Sequence, residues 1–301
     1  MRHTLLPYLQ PFWLAAFALS AFPVSASSFQ GTPTVAFSLS QPSVLLEGGL
    51  GVDLVVELSA IQGNDVSVPF DLTGIAIEGS DYGVSPLSPL VIPAGSTSVS
   101  LSLVATPDGI HEGDEGLVVT LLTPSGADLG TPFEHSLTLQ DADLPPLLSF
   151  DLASSAVLEG AGTHAVSISL DALSGLDVTV PFTVNGTAVD PADYGIDVSP
   201  VVITAGTQSM LVNLTLIDDL LDELDETVVL GLGLPTNATL GLVTDHTTTI
   251  TDNDAAPVVQ FELASSSVLE GAGAHALSIS LDAVSGLDVT VPFTVNGTAV
   301  D

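Results

Sequence analysis

Cysteine is absent from the 301 residues, so no disulfide can staple the fold. No thiolate is present to act as a nucleophile or a zinc ligand. Basic charge is almost absent too: the one Lys or Arg is Arg2, against 36 Asp and Glu, for a formal net charge of −35. Nucleic-acid binding needs cationic groups to displace the counterions of phosphates, which excludes that class of partner. An anionic membrane surface repels such a chain as well. Aromatics make up 5% and the sole Trp is Trp13, too little to line a glycan cleft beside a catalytic carboxylate pair. No G-x-S-x-G, H-E-x-x-H or Gly-rich phosphate loop occurs, so the chain reads as a non-enzyme. Long apolar runs are also lacking. The longest clean one, "FWLAAFALSAF", has eleven residues, where a spanning helix needs about 20.

That short run has a different reading. Arg2 and His3 precede it, and "AFPVSAS" follows with Val24 and Ala26 at the spacing of a signal-peptidase site. Residues 1–26 are expected to be a secretory signal peptide, with a retained N-terminal anchor as the alternative. The mature chain would then be exported, extracellular or at the cell surface, with no Lys or Arg and no transmembrane helix. Hydrophobic residues reach 46%, enough for packed cores, so the acidity does not imply disorder.

The chain repeats itself. Ser149–Asp190 recurs as Gln260–Asp301 at an offset of 111 residues, with 36 of 42 positions identical. A more divergent copy lies upstream, where "VLLEGG" at Val44 matches "AVLEGA" at Ala156 and "SDYG" at Ser80 matches "ADYG" at Ala192. Two whole repeats are expected at 33–143 and 147–254, and a partial third at 258–301 that cannot close a core. The linkers Leu144–Pro146 and Ala255–Pro257 are short and stiffened by proline.

Within each repeat the period is two. In "HAVSISLDA", Val166, Ile168 and Leu170 alternate with Ser167 and Ser169, and "DVTVPFTV" alternates likewise. Such runs, bounded by Gly, Asp and Asn, predict half-buried antiparallel strands. Pro69 and Pro181 suit an edge strand or a bulge, where no ladder donor is lost. About seven strands per repeat of this length predict an all-β chain of tandem β-sandwiches.

One stretch resists that reading. "LIDDLLDELDETVVL" (Leu216–Leu230) holds six carboxylates within nine residues, and its leucines approach helical spacing. Its counterpart in the first repeat, "ATPDGIHEGDEGLVVTL", carries Gly109, Gly113 and Gly116, which argue against a helix. The acids nevertheless recur in register: Asp108 with Asp219, Glu112 with Glu223, Asp114 with Asp225 and Glu115 with Glu226. The stretch is therefore expected to be a loop between strands. Three further acidic spots recur: the Glu of "LEG" (Glu47, Glu159, Glu270), the Asp of "DYG" (Asp81, Asp193) and the strand ends "LQDAD" (Asp141, Asp143) and "ITDND" (Asp252, Asp254).

Strand ends and loops of a sandwich cluster at its poles, so these spots can meet at one pole. Two unit charges 4 Å apart repel by about 4 kcal/mol at an effective dielectric near 20. Solvation, raised pKa values or a bound cation must offset this. Among cations Ca²⁺ fits all-oxygen donors best, Mg²⁺ less well because it keeps its waters, and Zn²⁺ poorly without His or Cys at ligand spacing. His111 beside the first acidic loop reads as a solvated loop residue.

The order "VLEG … GTAVDPADYG … AGT … LIDDLLDELDETVVLGL … TTTITDND" resembles the Calx-β (Calx-beta) domain, over nearly all of both repeats and the front of the third. The resemblance implies an immunoglobulin-like sandwich with Ca²⁺ at the loops of one end. By matching position, it implies ligands Glu159, Asp193, Asp219, Glu223, Glu226, Asp252 and Asp254 in the second repeat. In the first they would be Glu47, Asp81, Asp108, Glu112, Glu115, Asp141 and Asp143. The first repeat departs from the pattern, with "PDG" where the family often has "DD" and "GIA" for "GTA"; the second ends in "DND", where richer members carry three acids. The second repeat is the favoured calcium site. The expected function is a secreted or cell-surface array that binds Ca²⁺ and serves adhesion or cell communication. Its expected partners are calcium ions, neighbouring repeats and a surface protein or glycan. The alternative is a metal-independent acidic spacer that presents another domain.

Overall fold

The computed structural model of the chain describes residues 31–298; the signal-peptide reading of residues 1–26 and the last three residues of the partial repeat, 299–301, lie outside them. No helix among the described residues is long and apolar enough to cross a membrane. Each whole repeat is a two-sheet sandwich. In the first, a five-stranded sheet runs Asp128–Leu129, Thr34–Phe37, Val52–Leu58, Ser98–Ala105, Tyr82–Ser85 in spatial order. It faces a four-stranded sheet of Val44–Leu46, Glu134–Gln140, Glu115–Leu121 and Phe70–Gly74. The second repeat has the same two sheets, with Thr163–Leu170 and Ser209–Leu216 central to one and Asp245–Thr251 and Glu226–Leu232 central to the other.

The period-two reading is carried into the packing. Along Thr163–Leu170, Val166, Ile168 and Leu170 are buried while Ser167 and Ser169 face outward. Along Val52–Leu58 the same holds for Leu54, Val56 and Leu58. Each sandwich closes its own core. The first gathers residues from Val35 to Leu139, the second from Leu148 to Ile250.

Two details differ from expectation. Each whole repeat shows eleven strand segments instead of about seven, because long strands are broken. Pro69 and Pro181 are among the breaks. Val66–Val68 pairs with Leu90–Ile92, whereas Phe70–Gly74, one residue later, pairs with Glu115–Leu121. Proline has no N–H to donate, so the ladder ends there and the chain changes partner. The sandwiches are also not antiparallel throughout. The first strand of each repeat is divided between the two sheets, and each piece lies parallel to a strand near the repeat's end, as Val44–Leu46 does beside Glu134–Gln140.

The second core holds a polar chain. His246 is 3% exposed, with Nδ1 2.7 Å from the Leu152 carbonyl and Nε2 2.9 Å from Ser155 Oγ. A carbonyl only accepts, so Nδ1 carries the proton and Nε2 accepts from the serine hydroxyl. Ser155 Oγ is then free to accept from His164 Nε2 at 2.8 Å. Burial, together with His246, holds the His164 pKa below its ordinary value.

The partial repeat has the same front-half sequence without a back half among the described residues. It forms only a two-stranded pairing of Val259–Phe261 with Ile279–Leu281. Phe150 is 1% exposed, but its counterpart Phe261 is 59% exposed. Phe150→Ala is therefore expected to destabilise the second repeat by about 3–5 kcal/mol, and Phe261→Ala to leave the melting of both whole repeats unchanged. Denaturant unfolding of the two variants checks this; equal effects would mean the two phenylalanines share an environment.

Candidate functional site

Strand register brings the acids together. In the first repeat Leu46 lies opposite Gln140 in a parallel pair, so the next residues of both strands, Glu47 and Asp141, leave the sheet side by side. Leu139 lies opposite Glu115, which places that carboxylate at the same edge. From the other sheet, Tyr82 pairs with Ala105, and the Thr106 N–H donates to the Asp81 carbonyl at 2.9 Å. That contact brings Asp81 beside the start of the acidic loop. The second repeat repeats the register: Leu158 opposite Thr251, Glu226 opposite Ile250, Tyr194 opposite Leu216.

The acidic loop is irregular in both copies, with no helix. It is tied down by main-chain donors pointing at carboxylates. Glu47 Oε1 accepts from the Asp108 N–H at 3.0 Å, and Glu159 Oε1 from the Asp219 N–H at 2.9 Å. Asp141 accepts from Glu112 N–H (3.0 Å) through one oxygen and from Asp143 N–H (2.9 Å) through the other. Asp252 does the same with Glu223 and Asp254, both at 3.1 Å. Asp81 and Asp193 each close a turn, accepting at 2.6 Å from Ile77 and Val189. Two sequences that differ in the loop thus fold into one hydrogen-bond frame.

A small pocket results in each repeat. The first is lined by Glu47, Asp81, Asp108, Glu112, Glu115 and Asp141, with Asp143 grouped to Glu47 and Asp141 by carboxylate oxygens within 4.8 Å. The second is lined by Glu159, Asp193, Glu223, Glu226 and Asp252. Asp254 joins Glu159 and Asp252 within 4.8 Å, and Asp219 is held by its bond to Glu159. All fourteen residues singled out from the sequence therefore sit at these two poles. Glu270, in the partial repeat, has no such company among the described residues.

The charge is poorly relieved. Burial pushes the Glu115 carboxyl up to about 7, reinforced by Asp81, with which it shares a hydrogen bond, and by Glu112. Glu226 is pushed up to about 7 by burial, by its bond to Asp193 and by the charges of Glu223 and Glu159. Burial followed by neighbouring carboxylates also raises Glu112 and Glu223. Glu47 and Glu159 are raised by burial against the opposing effect of their main-chain donors. Asp254 is raised by desolvation and by Asp252, Asp218, Asp219 and Asp222. Asp141 goes the other way: burial raises it, but the N–H groups of Asp143 and Glu112 and the His111 ring outweigh that. Among the described residues two oxygens, Glu115 Oε2 and Asp254 Oδ2, are shut off from solvent with no hydrogen-bond partner.

The run of six acids splits by direction. Glu223 and Glu226 line the pocket and Asp219 is tied beside it through Glu159; Asp218 accepts from the Asn253 amide at 2.9 Å, Asp222 is met by Ser285 Oγ at 3.2 Å, and Asp225 is exposed. His111 is not the solvated loop residue expected. Its Nδ1 lies 2.9 Å from Asp141 Oδ2 and the residue is 18% exposed, because the loop folds back on the strand end. His164, Ser155 and Asn253 escaped the sequence reading; only the co-occurrence of Ser and His in both similar repeats, at 155/164 and 266/275, signalled the first two.

The sequence matches the Calx-beta domain over residues 31–143, 141–254 and 252–301. The chain belongs to the Calx-beta domain family. Solved structures similar to it include CBD12 from CALX1.2, at 17% identity over 72% of this chain and 99% of that one, with a TM-score of 0.33. The calcium binding domain CBD12 of CALX1.1 is 19% identical over 69% and 82%, also at 0.33. The apo-form Calx CBD1 domain is 21% identical over 37% and 100%, at 0.35. No curated protein matches the chain. The family assignment rests on the match across all three segments, and the Calx-beta repeats of this chain are the two sandwiches and the partial unit just described.

Proposed function

We infer that the two whole Calx-beta repeats bind Ca²⁺ at their acidic poles and that the chain is an exported, non-enzymatic array stiffened for adhesion or cell communication. The observation that supports this most is the pair of orphaned oxygens, Glu115 Oε2 and Asp254 Oδ2, each closed off from water within a cluster of carboxylates. An acceptor closed off from water without a donor is destabilising, and more so when charged. Neither repeat contains a Lys or Arg that could supply a cation there. The donor set is all oxygen and offers enough carboxylates for the roughly 6–8 ligands Ca²⁺ takes in flexible geometry.

Glu47, Asp81, Asp108, Glu112, Glu115, Asp141 and Asp143 would hold the cation in the first repeat. Glu159, Asp193, Asp219, Glu223, Glu226, Asp252 and Asp254 would do so in the second. The cation supplies positive charge. The residues supply the frame: Asp141 and Asp252 fasten the acidic loop to the strand end, and Asp81 and Asp193 bring in the opposite sheet. An extracellular setting suits even weak sites, since extracellular modules work at about 10⁻⁴–10⁻³ M.

Thermal unfolding of the full chain in Ca²⁺, in Mg²⁺ and in chelator tests this. At 100 times Kd, calcium is expected to add about 2.7 kcal/mol, a rise of roughly 10 °C for a domain of this size. Identical melts in the three buffers would leave the poles solvated and the chain a metal-independent spacer.

A further inference from the structure

Between successive repeats the same contact is made twice. The Gly175 N–H, in a turn of the second repeat, donates to the His111 carbonyl in the acidic loop of the first at 2.9 Å. The Gly286 N–H, 111 residues on, donates to the Asp222 carbonyl in the acidic loop of the second at 3.1 Å. Both meetings are parallel bridges, His111 with Ser174 and Asp222 with Ser285. The loops differ in sequence at the point of contact, histidine in one and aspartate in the other, which the main-chain bond tolerates. The turn does not differ: it reads Ser-Gly in both.

Room at the glycine is limited by a glutamate side chain of the neighbouring loop and not by its own backbone, which lies outside the left-handed region. A Cβ at Gly175 would fall 2.7 Å from Glu112 Cγ and Oε1, and one at Gly286 would fall 2.7 Å from Glu223 Oε1. The first repeat supplies a comparison within the chain. Its equivalent turn is Gln62-Gly63, and a Cβ on Gly63 meets nothing within 4 Å among the described residues. The turn itself is built alike in both repeats, since Gly95 N–H donates to the Gln62 carbonyl at 2.9 Å and Gly206 N–H to the Ser174 carbonyl at 2.8 Å. What separates them is the docked loop. Ser174 is only 1% exposed, its hydroxyl bonded within the turn to Leu176.

We propose that this Ser-Gly turn is a docking element by which a repeat seats on the acidic loop of the repeat before it, with the glycine at its tip as the determinant of a closed joint. The partner it fits is a Calx-beta acidic loop that presents a free main-chain carbonyl followed by a glutamate. The contact is one-directional, from the turn of one unit to the loop of the preceding unit, so it builds head-to-tail order. The main-chain bond itself uses no metal ligand, but the glutamates that flank it, Glu112 and Glu223, are among the residues proposed to hold the cation, so the joint is tested with calcium removed.

The cysteine-free chain allows spin labels at two introduced cysteines, Ser98→Cys in the first repeat and Ser209→Cys in the second, both exposed. Distances are measured in chelator. The otherwise unsubstituted full chain is expected to give one narrow peak, Gly175→Val to lose it, and Gly63→Val to keep it, with unchanged melting of both repeats. Where valine disturbs the second repeat, Gly175→Ala adds a single carbon on a backbone open to any residue and is expected to broaden the peak. A peak that stays narrow in the Gly175 variants overturns the proposal, as does equal broadening by Gly63→Val or a broad distribution in the parent chain.

Discussion

Asp252→Ala is expected to abolish the calcium-dependent rise in the melting of the second repeat while the first repeat keeps its own. Two losses coincide in this substitution. Asp252 lines the pocket with Glu159, Asp193, Glu223 and Glu226, so one charged donor to a cation is gone. Its two oxygens also accept from the N–H groups of Glu223 and Asp254, which fasten the acidic loop and place both of those carboxylates. A main-chain bond to a charged acceptor contributes about 1.5–3 kcal/mol, so the variant should be less stable even in chelator. In saturating calcium the further loss is the full binding stabilisation, about 2.7 kcal/mol at 100 times Kd. The cores of the repeats are separate clusters, which lets calorimetry follow two transitions. A calcium shift that survives in the second transition would remove Asp252 from the site.

Acidification from pH 8 to pH 5 is expected to stabilise the calcium-free repeats and to shrink the stabilisation that calcium adds. Glu115 and Glu226 have folded pKa values raised to about 7 from an ordinary 4.5. Between those values the folded chain holds protons that the unfolded chain has released. Stability then falls as pH rises through the window, because its slope follows the protons bound unfolded minus those bound folded. In chelator the repeats should therefore gain stability on acidification towards pH 5. Calcium needs the same carboxylates ionised, so its affinity should fall as pH drops below about 7. Melting curves across this range, with calcium and with chelator, should converge as pH falls. Curves that stay parallel would mean Glu115 and Glu226 do not titrate at the cation site.

Much of this was legible because the chain carries its own internal comparison. The acids of Asp108–Glu115 recur in register with those of Asp219–Glu226 although the glycines and leucines between them do not, which marked the stretch as a loop and its acids as a set. Alternation in "HAVSISLDA" placed Val166, Ile168 and Leu170 inward, since side chains on a strand change face at every residue. Other features depend on contacts far apart in the chain. His111 looked free because its partner, Asp141, is 30 residues away. Asp222 looked like one more member of the acidic set, but its carbonyl meets a glycine 64 residues on and its carboxylate a serine 63 residues on.

The sequence by itself determined the repeat period, the strand alternation, the lack of basic partners and the identity of the acids, all properties of local pattern and composition. Only the tertiary structure decided that Glu47 and Asp141 leave parallel strands side by side, that Glu115 and Asp254 each keep an oxygen without a partner among the described residues, and that Gly175 and Gly286 touch the preceding loop while a Cβ at Gly63 would meet none of the described residues within 4 Å. Strand register and the docking of successive units set those distances, and neither is encoded by neighbours along the chain.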